Sequence, residues 1–98
     1  MPAVCRGNLV DDDVIHCSVP KRLAMSPDVI VNGTGISRQD DVNHPHLIPA
    51  PPCPTHQAPI TTGSTTVFIN GKGCGRIGDL VTGCTSVASG SENVFAGP

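Results

Sequence analysis

Three aspartates in this chain are each followed, five residues later, by a side chain that can bind a metal: Asp11 by His16, Asp41 by His46 and Asp79 by Cys84. Imidazole nitrogen and thiolate sulfur are ligands that zinc favours, at about 2.0–2.1 Å and ~2.3 Å respectively, and a structural zinc site is closed by four protein ligands. Two of the three pairs lie inside a longer repeat. The stretch from Val29-Ile30-Val31-Asn32-Gly33 to Asp41 matches the stretch from Val67-Phe68-Ile69-Asn70-Gly71 to Asp79, with Val, Asn, Gly, Gly, Arg and Asp in register. A short chain that repeats itself and ends each repeat in a ligand points to units built around one metal ion.

Composition explains why a metal would be needed. The chain has 98 residues, two aromatics (Phe68 and Phe95), 11 glycines and 10 prolines. Ordering a residue costs roughly 1–2 kcal/mol of backbone entropy, and a domain of this size with so few large side chains buries little to offset it. The five cysteines are an odd number, so a closed set of disulfides would leave one over. Charged residues make up 14% and the net charge is −2, and Lys21-Arg22 is the one basic pair. Nothing here provides the basic face that nucleic acid requires. No apolar run approaches the ~18 residues of a membrane span, and Met1-Pro2-Ala3-Val4-Cys5-Arg6 is not a secretory signal. A single domain over residues 1–98 is expected.

The elements that must hold the ligands are strands. Val29-Ile30-Val31, Val67-Phe68-Ile69 and Val94-Phe95-Ala96 are short β-branched or aromatic runs after turn-type residues. The first two run into Asn32-Gly33 and Asn70-Gly71, a strong hairpin signal because a type I′ turn needs positive φ at both central residues. The third run stops near Gly97-Pro98, while the chain opens on Ala3-Val4-Cys5-Arg6, which reads as a return strand without its partner. Pairing the two ends makes an all-β ring of three hairpin repeats with an approximate threefold axis, and it removes exposed strand edges. No amphipathic helix is evident. Six prolines from Pro45 to Pro59 make the segment His46 to Pro59 an extended, stiff loop.

Three ring-related loops that each project a ligand bring His16, His46 and Cys84 toward the axis, and His56 from the proline-rich loop completes four. His44 competes with His46, which only the five-residue offset favours. A cysteine-richer set using Cys17 or Cys53 is open. Cys5 and Cys74 read as small buried apolar residues. Asp11, Asp41 and Asp79 read as turn-shaping residues, so Asp11→Asn should cost little stability, whereas His56→Ala and Cys84→Ala should cost much. Arg38 and Arg76 can pair with neighbouring carboxylates. Four ligands leave no open coordination position, and no residue stands out as a base, so the chain does not read as an enzyme. The ion is Zn²⁺ by ligand type, with iron as the alternative.

These motifs resemble the PAAR-repeat family. The match runs through Met1-Pro2-Ala3-Val4-Cys5-Arg6, Gly33-Thr34-Gly35-Ile36-Ser37-Arg38, and Gly63-Ser64-Thr65-Thr66-Val67-Phe68-Ile69-Asn70-Gly71-Lys72 into Arg76-Ile77-Gly78-Asp79, and ends on Gly90 to Gly97. The Pro-Ala-Ala-Arg motif itself is nowhere intact. In the first repeat, Asn8-Leu9-Val10-Asp11 stands where Arg-x-Gly-Asp belongs. The resemblance implies a small cone with few or no helices and one metal near its apex, held by three His and one Cys. It also implies a partner: one copy caps a trimeric β-helical spike of a contractile injection machine and sharpens it for piercing the target cell envelope. That places it in the virion, at a phage baseplate, or in the cytoplasm before export by type VI secretion. With no effector domain after Pro98, a phage baseplate component or structural secretion tip is expected rather than a toxin carrier. The competing reading is a zinc-binding interaction module unrelated to any spike.

Overall fold

The computed structural model describes residues 1–14, 20–47, 55–81 and 85–97, with only the backbone at 46–47 and 55–56. Among these residues there is no helix, and eight two-residue strands form four antiparallel pairs. Strand β1 (Ile30–Val31) pairs with β2 (Thr34–Gly35), and β3 (His46–Leu47) with β4 (Thr55–His56). Strand β5 (Phe68–Ile69) pairs with β6 (Lys72–Gly73), and β7 (Leu80–Val81) with β8 (Thr85–Ser86). Asn32 and Gly33 turn with φ of 52° and 81°, and Asn70 and Gly71 with 54° and 81°, the two positive values that a type I′ hairpin requires.

The chain ends supply the third hairpin. The Val4 amide donates to the Val94 carbonyl at 3.0 Å and the Ala96 amide to Pro2 at 3.0 Å, with Ala3 and Phe95 facing each other across an antiparallel bridge. The three units then lock into closed rings. At the centre, the amide of Cys5 donates to the carbonyl of Gly75, that of Gly75 to Ser37 and that of Ser37 to Cys5, each at 3.0 Å. The bridges Val4 to Arg76, Arg6 to Ile36 and Arg38 to Cys74 surround this cycle. A second ring follows, through Arg22 to Asn43, Ile60 to Val81 and Val87 to Asp13. Overall extents of 38 × 24 × 22 Å give two nearly equal short axes, as a threefold cross-section must.

The core lies on both sides of the central cycle, because successive residues on a strand point oppositely. Val4, Ile36 and Cys74 pack with Val31, Ile69 and Ala96 toward the Asn-Gly turns, while Cys5 packs with Ala58, Ile60, Val81 and Val87 on the other side. Room on the axis is limited. A Cβ added at Gly75 would lie 2.6 Å from the Ser37 carbonyl oxygen and 2.8 Å from Cys5 Sγ, so this third equivalent position holds no side chain.

The structure corrects three sequence expectations. First, Asp11, Asp41 and Asp79 do more than shape turns: they are buried at 3%, 5% and 4% exposure, and each carboxylate clamps an arginine. Asp41 Oδ2 accepts from the backbone amide and Nε of Arg38, both at 2.8 Å, while Oδ1 accepts from Nη2 at 3.0 Å. Asp79 holds Arg76 in the same way. Asp11 likewise holds Arg6, so the expectation that Asp11→Asn costs little is reversed. Second, the first repeat does possess its Arg–Asp pair. Its loop is two residues longer, and Asn8 and Leu9 (φ 53° and 65°) close it in a turn with the Val10 amide bonded to the Gly7 carbonyl at 3.1 Å. Third, the segment from His46 to Pro59 is not extended loop throughout. His46-Leu47 and Thr55-His56 occupy proline-free windows, where backbone amides are available for a ladder.

Candidate functional site

Two ends of the body differ. At the end where Asn32 and Asn70 turn, the outward residues of the three hairpins are Ile30, Phe68 and Phe95, which are 54%, 60% and 51% exposed. They are equivalent positions, each followed by an inward residue, Val31, Ile69 or Ala96. Three large apolar groups in matching places on a small protein are a surface feature that marks interaction. Beneath them the units are cross-tied. The hydroxyl of Ser26 caps the Val29 amide at 2.9 Å, that of Ser64 the Val67 amide at 2.8 Å and that of Ser91 the Val94 amide at 3.0 Å. Each of these hydroxyls also donates onward, Ser26 to Asn70 Oδ1, Ser91 to Asn32 Oδ1 and Ser64 to the Gly97 carbonyl. In the third unit, a backbone carbonyl therefore stands where the other two use a turn asparagine.

Asp28 belongs to the same ties. A hydrogen bond from Asn70 Nδ2, with a lesser one from the Ser26 hydroxyl, whose one proton Asp28 shares with Asn70 Oδ1, holds its carboxyl below the ordinary aspartate range. A shallow cleft of about 400 Å³ lies at one seam, lined by Gln39, Thr61, Thr62 and Phe68 among others. Its lining offers hydroxyls and an amide, without a nucleophile paired to a base.

At the opposite end, three strands leave the second ring in the same direction, through Asp13, Asn43 and Val81. The Thr85 hydroxyl donates to the Val14 carbonyl at 2.9 Å and the Val14 amide to Ser86 at 2.8 Å, so the strand entering the segment of His16 is bonded to the strand leaving that of Cys84. His46 and His56 are direct partners across β3 and β4. His44 is exposed, with Nδ1 2.9 Å from the Pro45 carbonyl oxygen. The residues His16, Cys17, Cys53 and Cys84 lie outside the described residues, as do the side chains of His46 and His56. Among the described side chains, no group of three or more potential ligands comes together.

Cys5 and Cys74 are buried free thiols, in keeping with the apolar role expected of them. Burial is the main cause that pushes both thiols up, Cys74 to about 11 and Cys5 further. Neither is a thiolate near neutral pH, so neither is a nucleophile or a ready metal ligand.

What sequence reasoning missed is Arg22. As half of the Lys21-Arg22 pair it looks like surface charge, yet it is 0% exposed, while Lys21 alone faces solvent and pairs with Asp12 at 2.7 Å. Only the two-residue alternation of the strand, which turns one of two neighbours inward, could have flagged it.

No curated protein matches the chain. Residues 51–97 match the family model described as the PAAR motif, a motif of structural, metal-binding spike-tip proteins of contractile injection systems. One such repeat is matched directly and its counterparts close the same rings, which supports the PAAR-repeat family for this chain.

Proposed function

We propose that this protein is a structural tip that caps a trimeric β-helical spike, one copy per trimer, and is stapled at its far end by one Zn²⁺ bound to His16, His46, His56 and Cys84. The observation that carries the docking reading is the triad of exposed Ile30, Phe68 and Phe95 in equivalent places. A single chain with three like surfaces can satisfy three identical subunits at once, which an asymmetric monomer cannot do. For the metal, the register of His46 against His56 supports a shared ion. Residues directly opposite in an antiparallel pair have Cβ atoms about 4.5–5.5 Å apart, within reach of one tetrahedral centre. Zinc bound this way contributes folding free energy outright.

Native mass spectrometry of the tip mixed with a trimeric β-helical spike protein from the same genome tests the docking. The expected mass is one tip per trimer, lost on Ile30→Glu or Phe68→Glu. A tip that binds no spike, or binds with three copies per trimer, would leave the zinc-binding interaction module as the better reading. Elemental analysis of tag-free protein should find one zinc per chain, and finding no metal would refute the staple.

A further inference from the structure

The second ring carries a chemical asymmetry that the threefold fold does not require. Asp13, Asn43 and Val81 occupy equivalent places in it and stand three residues before His16, His46 and Cys84 respectively. Two of these places are polar and one is apolar, and their bridge partners differ as well, with Val87 facing Asp13. Arg22 faces Asn43, whereas Ile60 faces Val81.

Around Arg22 the bonding is dense. Its Nη1 donates to Asp13 Oδ2 at 2.8 Å, Nη2 to the Asp41 carbonyl at 2.7 Å and Nε to the Ser37 hydroxyl at 3.3 Å. Asn43 Nδ2 donates to the same Asp13 Oδ2 at 2.9 Å, and Asn43 Oδ1 accepts from the Ala58 amide at 3.0 Å. One chain of hydrogen bonds therefore runs from Asp41 through Arg22, Asp13 and Asn43 to Ala58. It ties together the strands that lead to His16 and His46 and the strand that returns from His56. The strand toward Cys84 is fixed instead by Val81, in a cluster with Ile60 and Val87.

Stability alone does not account for this arrangement. A fully buried ion pair often gives no more stability than apolar residues of similar volume, and the Ile60–Val81 side shows that this ring accepts apolar packing. Directed hydrogen bonds supply what apolar contact does not: a defined offset between strands. Metal–ligand distances tolerate only about ±0.2 Å, so ligands carried by separate segments of the chain need such an offset.

We infer that Arg22 is a positioning residue for the metal centre, locking the strands that lead to His16 and His46 and the strand that returns from His56 in the register at which the three imidazoles share one ion. This rests on the metal reading given above. The test compares wild type, Arg22→Lys and the apolar pair Asp13→Val/Arg22→Met, which leaves neither charge of the ion pair buried alone. Zinc affinity is measured against a chromophoric chelator, the absorption bands of bound Co²⁺ are recorded, and melting is followed with and without zinc.

Loss of an outer partner of metal ligands typically weakens metal binding roughly 10- to 100-fold. That loss is expected for the apolar pair, with Arg22→Lys intermediate, weaker cobalt bands, and a smaller zinc-induced rise in melting temperature. Wild-type affinity in both variants, or equal lowering of the metal-free and zinc-bound melts, would overturn the inference while leaving the metal site standing. If the apolar pair does not fold, Arg22→Lys decides, since it keeps the buried cation but cannot span Asp13 and Asp41 together. Failure of the wild type to bind either ion would overturn the metal reading itself.

Discussion

Replacing each clamp aspartate by asparagine in turn should destabilise the protein by the same amount at Asp11, Asp41 and Asp79. In every clamp, Oδ2 takes both the arginine amide and Nε, and Oδ1 takes Nη2. An asparagine oxygen can still accept, but its NH₂ then faces a guanidinium donor. At least one charge-assisted bond is lost, each of about 1.5–3 kcal/mol, and breaking a fully buried pair costs about 3–5 kcal/mol. The arginine side chains are 16%, 13% and 14% exposed, so water offsets part of the loss. About 2–3 kcal/mol per site follows, or roughly 8–24 °C in melting temperature for a domain of this size. Thermal melts at neutral pH, with zinc in excess, measure it. A cost at any one site near that of ordinary surface changes, below about 0.5 kcal/mol, would refute the equivalence of the three units. Indifference at Asp11 alone would show that the longer Gly7 to Val10 loop is not a working clamp.

Gly75→Ala should cost about 1–3 kcal/mol by overpacking the axis, whereas Ser37→Ala at the equivalent place should cost less; comparable melts for the two would contradict the crowding at Gly75. Cys5 and Cys74 should resist alkylation in the folded protein at pH 8 and react after denaturation, as mass spectrometry of the labelled peptides would show; rapid labelling of Cys74 would contradict its raised pKa. Asp28, whose folded pKa is lowered by Asn70 and Ser26, stabilises the fold fully above the ordinary aspartate pKa of about 3.9. That contribution disappears as pH falls through the lowered folded value. Carboxyl titration by NMR should therefore place Asp28 below Asp residues in an unfolded reference, and Asp28→Asn should flatten the acid limb of stability. A normal Asp28 titration would exclude the Asn70 bond in solution.

Much of the scaffold could be read from local rules. Asn32-Gly33 and Asn70-Gly71 demanded their turns, and the unpartnered run at Val94 demanded the opening residues of the chain. The pairing of Arg6 with Asp11 was hidden because a sequence repeat is compared at fixed spacing, whereas the clamp tolerates two extra residues once Asn8 and Leu9 adopt positive φ. Arg22 was hidden for another reason. Its burial depends on Asp13, Ser37, Asp41 and Asn43, which meet only after the rings close. Among the expected ligands, the backbone register joins His46 to His56, a relation that the proline-rich composition around them gave no reason to expect.

The closed cycle of Cys5, Ser37 and Gly75 has a mechanical consequence. A body compressed along its axis tends to spread sideways, which puts circumferential tension on every level of its cross-section. An open sheet yields to such tension from its edge, one hydrogen bond at a time, because an edge strand has a free side. The central cycle has no edge, so its three bonds share the load like a hoop and must lengthen together. The arginine clamps lie directly outside that hoop, one per unit, and brace it where each strand turns away from the axis.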